Sequence, residues 1–343
     1  MSTPANPGAR RRVTIALQSD KAVATYAHLA TQAERSGFDG LSVYADLGFQ
    51  PPLAALVTAA GATSRMTLGP ACLNPYLTHP VEIAGQAAVL DEASGGRSYL
   101  GLVRGSWLDR VGVDQPRPLA AIEDTVEIVR RLLAGDTSGY AGRVFTLEQG
   151  MALHYTPLRS SIPVLIGTWG PRGAQLAGRV ADEVKIGGST NPDMVRLMRT
   201  WLDEAALAAG RPRDAVALAA GAVTVVARDG AAARAHAREQ VAMYVDVVGA
   251  LDPTVHIDPE LLAGLRERLE AGDVAGAGAL VPDDVLDRFA FAGTPEEVAA
   301  HAVELFEAGA DRVEFGTPHG LTESEGFDLL GGAVLPAIRE AVG

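Results

Sequence analysis

The chain has 343 residues, 48% of them hydrophobic and only 5% aromatic, with a formal net charge of −13. That excess of carboxylates excludes a general electrostatic grip on nucleic acid or on an anionic membrane surface. A single cysteine, Cys72, excludes an intramolecular disulfide and a cysteine-based metal cluster.

Residues 1–12 are rich in Pro, Gly, Ala and Arg without an apolar run, and read as a disordered tail rather than an export signal. β-Branched runs then alternate with helical patterns. Strands are expected near Val13–Leu17, Leu41–Tyr44, Met66–Gly69, Tyr99–Val103, Val164–Gly167, Glu183–Ile186, Val216–Val226 and Arg312–Phe315. Helix starts are marked by the capping box Thr294-Pro-Glu-Glu297 and by Asn191-Pro-Asp193. Gly37 and Gly309 stand where a helix must stop before the next strand, and the segments Ala33–Asp39 and Leu305–Asp311 echo one another. Eight strand–helix units favour an α/β fold, a single (β/α)8 TIM barrel over residues 13–343. The runner-up, an open Rossmann sheet, lacks its glycine fingerprint after the first strand, where Gln18-Ser-Asp-Lys21 stands.

Two insertions interrupt the alternation. One follows strand 4, at about 135–163, where Gly142–Leu147 and Ala152–Tyr155 suggest a small hairpin. The other precedes strand 8, at about 252–290, and is helical over Pro259–Leu269 and Asp283–Arg288. The longest apolar run, Val216–Ala227, is too short to span a bilayer, so a soluble cytoplasmic protein without membrane or nucleic-acid partners is expected.

In such a barrel function sits at the C-terminal strand ends. These carry Gln18 and Ser19, Asp46, Ala71–Asn74, Arg104–Trp107, Gly167–Gly170, Gly187–Ser189 and Gly316–His319. No carboxylate pair close in sequence, no His-x-x-x-His metal spacing and no G-x-S-x-G elbow occurs among them. Glycines and isolated polar groups suit a flat ring approached by backbone, with a cofactor carrying the chemistry and no metal. Gly167-Thr168-Trp169-Gly170-Pro-Arg172-Gly173 and Gly187-Gly188-Ser-Thr-Asn-Pro192 each turn from strand to helix and would present N–H groups to a phosphate, with Arg172 as a charged partner. Lys185 points either at that ligand or into the barrel layers. His79, before Pro80, is either a helix cap or a proton donor. Asn74 either bonds a cofactor or caps the turn before Pro75. Asp46 ends a strand as a lone carboxylate, solvated or functional. Arg104 and Trp107 anchor ligand or pack the rim; Trp107 and His319 are the candidate substrate contacts.

Three motifs add a family resemblance. Met66-Thr-Leu-Gly-Pro-Ala-Cys-Leu-Asn-Pro-Tyr-Leu-Thr-His-Pro80, Asp91-Glu-Ala-Ser-Gly-Gly-Arg97 and Tyr99-Leu-Gly-Leu-Val-Arg-Gly105 resemble the luciferase-like superfamily of flavin- and deazaflavin-dependent oxidoreductases, nearest the branch of the F420-dependent methylenetetrahydromethanopterin reductase. The resemblance implies a non-prolyl cis peptide at Ala71–Cys72 supporting the deazaflavin ring, cofactor contact by Asp46, and phosphate binding after strands five and six. It also implies a homodimer. The sequence departs from the sugar-phosphate dehydrogenases of the superfamily, which carry a carboxylic acid where Ser106 stands and a His where Leu47 stands.

The expectation is therefore an F420-dependent reductase that passes a hydride between the deazaflavin C5 and a small organic substrate with a C=N or activated C=C bond. His79 or water would supply the proton. The first alternative is an FMN-dependent monooxygenase working with a flavin reductase, although the luciferase-type Glu-His-His run is replaced by Tyr44-Ala-Asp-Leu47. A non-catalytic cofactor-binding relative is the second.

Overall fold

Strand β1 (Arg12–Leu17) alternates Val13, Ile15 and Leu17, which face the surrounding helices, with Thr14 and Ala16, which face the barrel axis. The computed structural model describes residues 11–342. The tail expected over 1–12 thus lies outside the described residues except for Arg11 and Arg12, and Arg12 already belongs to β1.

The other strands are β2 (Gly40–Tyr44), β3 (Thr67–Ala71), β4 (Leu100–Val103), β5 (Tyr140–Ala141), β6 (Thr146–Leu147), β7 (Val164–Gly167), β8 (Glu183–Gly187), β9 (Ala217–Val226), β10 (Ala290–Gly293) and β11 (Arg312–Gly320). The parallel sheet runs β3-β2-β1-β11-β9-β8-β7-β4. Bridges Leu68↔Ser98 and Leu73↔Leu102 bring β3 back to β4 and complete the eight-stranded circle.

Helices α1 (Thr25–Ser36), α2 (Pro52–Gly61), α3 (Pro80–Ala93) and α4 (Pro118–Ala134) follow the first four barrel strands. α5 (Pro171–Val180), α6 (Pro192–Ala208) and α7 (Gly230–Ala242) follow β7, β8 and β9. Beyond α7 come α8 (Val245–Val248), α9 (Pro259–Glu270), α10 (Val274–Leu280), α11 (Asp283–Phe289), α12 (Pro295–Glu307), α13 (Glu323–Leu329) and α14 (Leu335–Val342). Local chemistry sets their ends. Gly37 closes α1 at φ +95°, and the Thr294–Glu297 capping box opens α12.

Most of the apolar burial lies between strands and helices, in one cluster that runs from Val13 to Ile338. Each fully buried Leu, Ile or Phe in it contributes about 1.5–3 kcal/mol relative to exposure. A second cluster gathers Ala233, Ala237 and Val241 of α7 with Leu265, Ala277, Leu286 and Phe289 of α9–α11. Trp169 packs against both.

The axis of the barrel is polar. Thr14, Ser42, Glu183, Lys185, Arg312 and Glu314 are all buried there, because the residues between them (Val13, Val43, Val184, Val313) take the outer face. Arg312 bonds Glu183 at 3.0 Å and Glu314 at 2.9 Å, and Arg12 reaches Glu183 from below at 2.7 Å. Ser42 donates to the same Glu314 oxygen as Arg312, and Lys185 closes on the other oxygen.

Two details differ from the sequence reading. The small hairpin pairs Tyr140–Ala141 with Thr146–Leu147, and residues 152–155 form no strand. Asp124 fixes that turn, accepting from Tyr140 Oη and from the Val144 and Phe145 amides. The other difference is β10, which pairs in parallel with Val223–Val226 and so extends the edge of β9 beyond β8.

Candidate active site

The strand ends converge as their order requires. β2 and β3 pair to the register Tyr44↔Ala71, β4 and β7 to Val103↔Gly167, and β7 and β8 to Gly167↔Lys185. Asp46, Ala71–Cys72, Arg104, Gly167–Gly170 and Gly187–Gly188 therefore share one rim. Asp46 is exposed and accepts from Gln18 Nε2 at 2.9 Å.

The Ala71–Cys72 peptide is cis, at the position the motif indicated. Cys72 then turns its sulfur toward the neighbouring strands: Sγ lies 3.1 Å from where a Cβ on Gly101 would stand and 3.8 Å from the equivalent point on Gly167. Glycine at 101 makes room for it, while the tight neighbour of Gly167 is Val103, whose Cγ2 would lie 3.0 Å from a Cβ there. Burial pushes the Cys72 thiol up to about 12, outweighing the nearby Lys185, so it remains an unreactive thiol.

The two glycine turns lie side by side but are not equivalent. α5 begins at Gly170 with extended backbone and no side-chain cap, so its first-turn N–H groups face outward. A Cβ at Gly170 would meet nothing within 4 Å, and one at Gly187 would meet only Lys185 Cε at 4.0 Å. Arg172 is exposed in the first turn of α5 and makes no ion pair among the described residues. α6, by contrast, is capped by Asn191, whose Oδ1 accepts from Asp193 N at 3.0 Å. That side chain is further held by Asp252 at 2.8 Å, Thr254 at 2.7 Å and Arg288. The α5 turn is thus the open one, while the α6 turn is largely satisfied internally. Tyr244 and Val248 lean over Gly188 from the far segment, with Val248 Cγ1 3.1 Å from a Cβ placed there.

Several expected ligand contacts are engaged elsewhere. Lys185 points into the barrel and pairs with Glu314 rather than reaching the rim. Asn74 is buried in its own turn: Oδ1 accepts from Tyr76 N at 2.7 Å, and Nδ2 donates to the Arg104 carbonyl. His79 is exposed as the cap of α3, its Nδ1 accepting from Val81 N at 3.3 Å, with its ring edge-on to Phe145. His319 does not meet the opening. It is fully buried, bonded through Nε2 to the Ala16 carbonyl at 3.0 Å and packed on Phe327, because the β11 register shifts between Gly316 and His319. Trp107 is 41% exposed at the rim beneath Arg110, and Arg104 is exposed one residue past the Val103↔Gly167 pair.

One rim residue escaped the sequence reading. Tyr44, two residues beyond Ser42 on the same inward face, lays its ring across the barrel mouth. Lys185 Nζ stands 5.3 Å from the ring centroid, and the hydroxyl reaches the space where Gly316 has no Cβ. The period-two alternation from Ser42 was the available signal.

The chain is an eight-stranded α/β barrel with an uncapped helix at one strand end, and no cluster of metal-ligating side chains occurs among its described residues. The model of the luciferase-like monooxygenase family matches residues 7–312. Relatives include the 5,10-methylenetetrahydromethanopterin reductase of Archaeoglobus fulgidus, 32% identical over 90% of this chain and 93% of that protein. The solved F420-dependent tetrahydromethanopterin reductase from Methanopyrus kandleri superposes with a TM-score of 0.87 at 28% identity, covering 96% of this chain and all of that one. An F420-dependent secondary alcohol dehydrogenase, solved with an F420–acetone adduct, shares the fold at a TM-score of 0.77 and 20% identity. The chain belongs to the luciferase-like superfamily of flavin- and deazaflavin-dependent oxidoreductases.

Proposed function

We propose that the protein is an F420-dependent reductase that passes a hydride to a small organic acceptor with a C=N or activated C=C bond. The observation that carries this reading is the α5 cradle: an uncapped helix start, open space at Gly170 and Gly187, and an unpaired Arg172 suit an anionic tail. Next to it, the partly exposed Ala71, Cys72 and Gly167 leave a low wall of small residues on which a flat ring can lie. A bound deazaflavin would supply the hydride chemistry. The chain's own contribution is to hold that group by its anionic tail, to orient the acceptor and to keep water away.

The test is a titration of the purified protein with F420 and with FMN, each oxidised and reduced. Tight binding of the deazaflavin with weak binding of FMN supports the reading. FMN-selective binding, with oxygen consumption when a flavin reductase is added, replaces it with the monooxygenase alternative.

A further inference from the structure

The two ends of the barrel differ in kind. At the strand C-terminal end, Phe49 and Leu321 stand on either side of the β1 loop. The Gln50 amide donates to the Ser19 carbonyl at 3.0 Å, and Lys21 pairs with Glu323 at 3.0 Å, which ties these three loops together. Leu77 and Trp107 stand in the next two loops, joined where Tyr76 Oη donates to the Pro116 carbonyl and Asn74 Nδ2 to Gln115 Oε1 at 3.3 Å. Across the β8 turn, Met243 and Leu251 flank the segment whose Tyr244 and Val248 lean over Gly188. All six side chains are 41–49% exposed. Single exposed apolar residues are ordinary on a protein surface, so the comparison with the opposite end decides. There, the long 135–163 connection apart, the helix-to-strand turns 37–39, 62–66, 94–99, 181–182, 209–216 and 308–311 expose no large apolar side chain among the described residues. Their exposed positions include Arg65, Asp182 and Arg213.

We propose that this rim binds the hydrocarbon body of the acceptor, so that the substrate is an unsaturated compound with an apolar chain or ring system beyond its reacting bond. The inference rests on the hydride-transfer reading above and narrows its substrate class. Three loops at the mouth, 72–79, 168–170 and 188–191, contain no Asp, Glu, Lys or Arg. Elsewhere at the rim the charges are matched or engaged. Lys21 pairs with Asp20 and Glu323, Asp46 accepts from Gln18, and the three arginines of 104–117 share that loop with Asp109 and Asp114. The mouth therefore offers apolar area rather than a charge to match. A substrate whose double bond lies at the Ala71–Gly167 wall extends outward past these side chains. The double bond gains a hydride at one carbon and a solvent proton at the other, its two electrons coming from the reduced deazaflavin. The apolar body takes no part in that exchange; its burial holds the reacting carbon in place. Each CH2 group that reaches the rim should tighten binding about two- to threefold.

The test does not require the natural substrate. N-phenylnaphthylamine, an uncharged dye that brightens in apolar sites, is titrated into the purified protein and displaced by methyl ketones from pentanone to undecanone. The same series is run on the triple variant Phe49→Ser, Trp107→Ser, Met243→Ser. A control variant, Val89→Ser with Leu207→Ser, removes exposed apolar side chains on α3 and α6, away from the mouth. Thermal unfolding confirms that all three proteins fold alike. Ketone affinity that rises about two- to threefold per CH2 group, and falls at least tenfold in the triple variant but not in the control, supports the proposal. A series flat in chain length, or equal losses in both variants, overturns it. Capture of the protein by phosphatidylcholine vesicles, or self-association abolished in the triple variant, gives the rim to a membrane or a second copy and also overturns it. In a second measurement reduced F420 is supplied with straight-chain methyl enones of rising length. KM falling with each CH2 group at nearly constant kcat is the expected result, and a constant KM overturns the inference. Failure to bind F420 while the ketone result holds overturns the cofactor reading alone.

Discussion

Lys185 and Glu314 form an ion pair inside the barrel, their side chains only 7% and 1% exposed. Such a pair adds little net stability, since burying both charges costs about as much as their attraction returns, but removing one partner strands the other. Glu314→Ala leaves Lys185 and Arg312 facing each other, and should lower unfolding stability by about 3–5 kcal/mol in chemical denaturation. Replacing both Glu314 and Lys185 by Met should recover much of that loss. Burial raises the Glu314 carboxyl, but Lys185 and Arg312 overcome it and hold the group at about 2, against an ordinary 4.5. Its stabilising contribution is complete above that ordinary value and disappears as pH falls from there toward 2.

His319 controls a different window. Burial lowers its imidazole from 6.5 to about 4, so the folded protein keeps it neutral where the unfolded chain would take up a proton. Stability should therefore fall as pH drops from 6.5 to 4, then stop responding to this group. His319→Asn keeps a residue that tolerates the left-handed backbone found here, φ +77°. Melting temperatures across that range should show a shallower slope in the variant. An identical slope refutes the assignment.

Gly170→Asp should separate folding from binding. The backbone already has cap geometry, and an acidic cap is favoured at a helix start, so stability should stay level or rise by up to about 1 kcal/mol. The same carboxylate would occupy the anion cradle, and F420 affinity should fall at least tenfold. Calorimetry reads both quantities on one sample. A variant that binds as tightly as wild type would place the anion elsewhere.

Gly101→Ala should destabilise the site from within the sheet. Its Cβ would lie 2.1 Å from the Pro70 carbonyl oxygen and 3.1 Å from Cys72 Sγ, contacts that only a backbone shift relieves. A loss of about 1–3 kcal/mol is expected in urea denaturation. Gly61→Ala, which meets nothing within 4 Å, serves as the control.

The barrel was legible because its outer face is regular: Val13, Ile15 and Leu17 alternate, and Gly37 and Gly309 stop the helices that lead back to it. The glycine turns could be placed for the same reason. What the sequence left open depended on facing. Glu183 and Lys185 share a parity, so the pair belongs to the barrel axis, a distinction hidden while Lys185 was weighed alone. Tyr44 follows the same parity from Ser42. The role of Asn74 depended on the Arg104 carbonyl, thirty residues away in sequence. β10 is four buried residues with no alternation of their own, defined only by the free upper edge of β9.

That edge has a mechanical consequence. Because Ala290–Gly293 is hydrogen-bonded along Val223–Val226, the α7–α11 layer is riveted to the wall by main chain, and Asn191 ties Asp252 and Thr254 to the neighbouring turn. A cover anchored at both ends resists swinging. The opposite bank, Arg104–Arg117, contains only the short 3-10 turn Leu108–Val111 and carries Trp107 and Val111 on its outside, so it is the more pliant side of the rim.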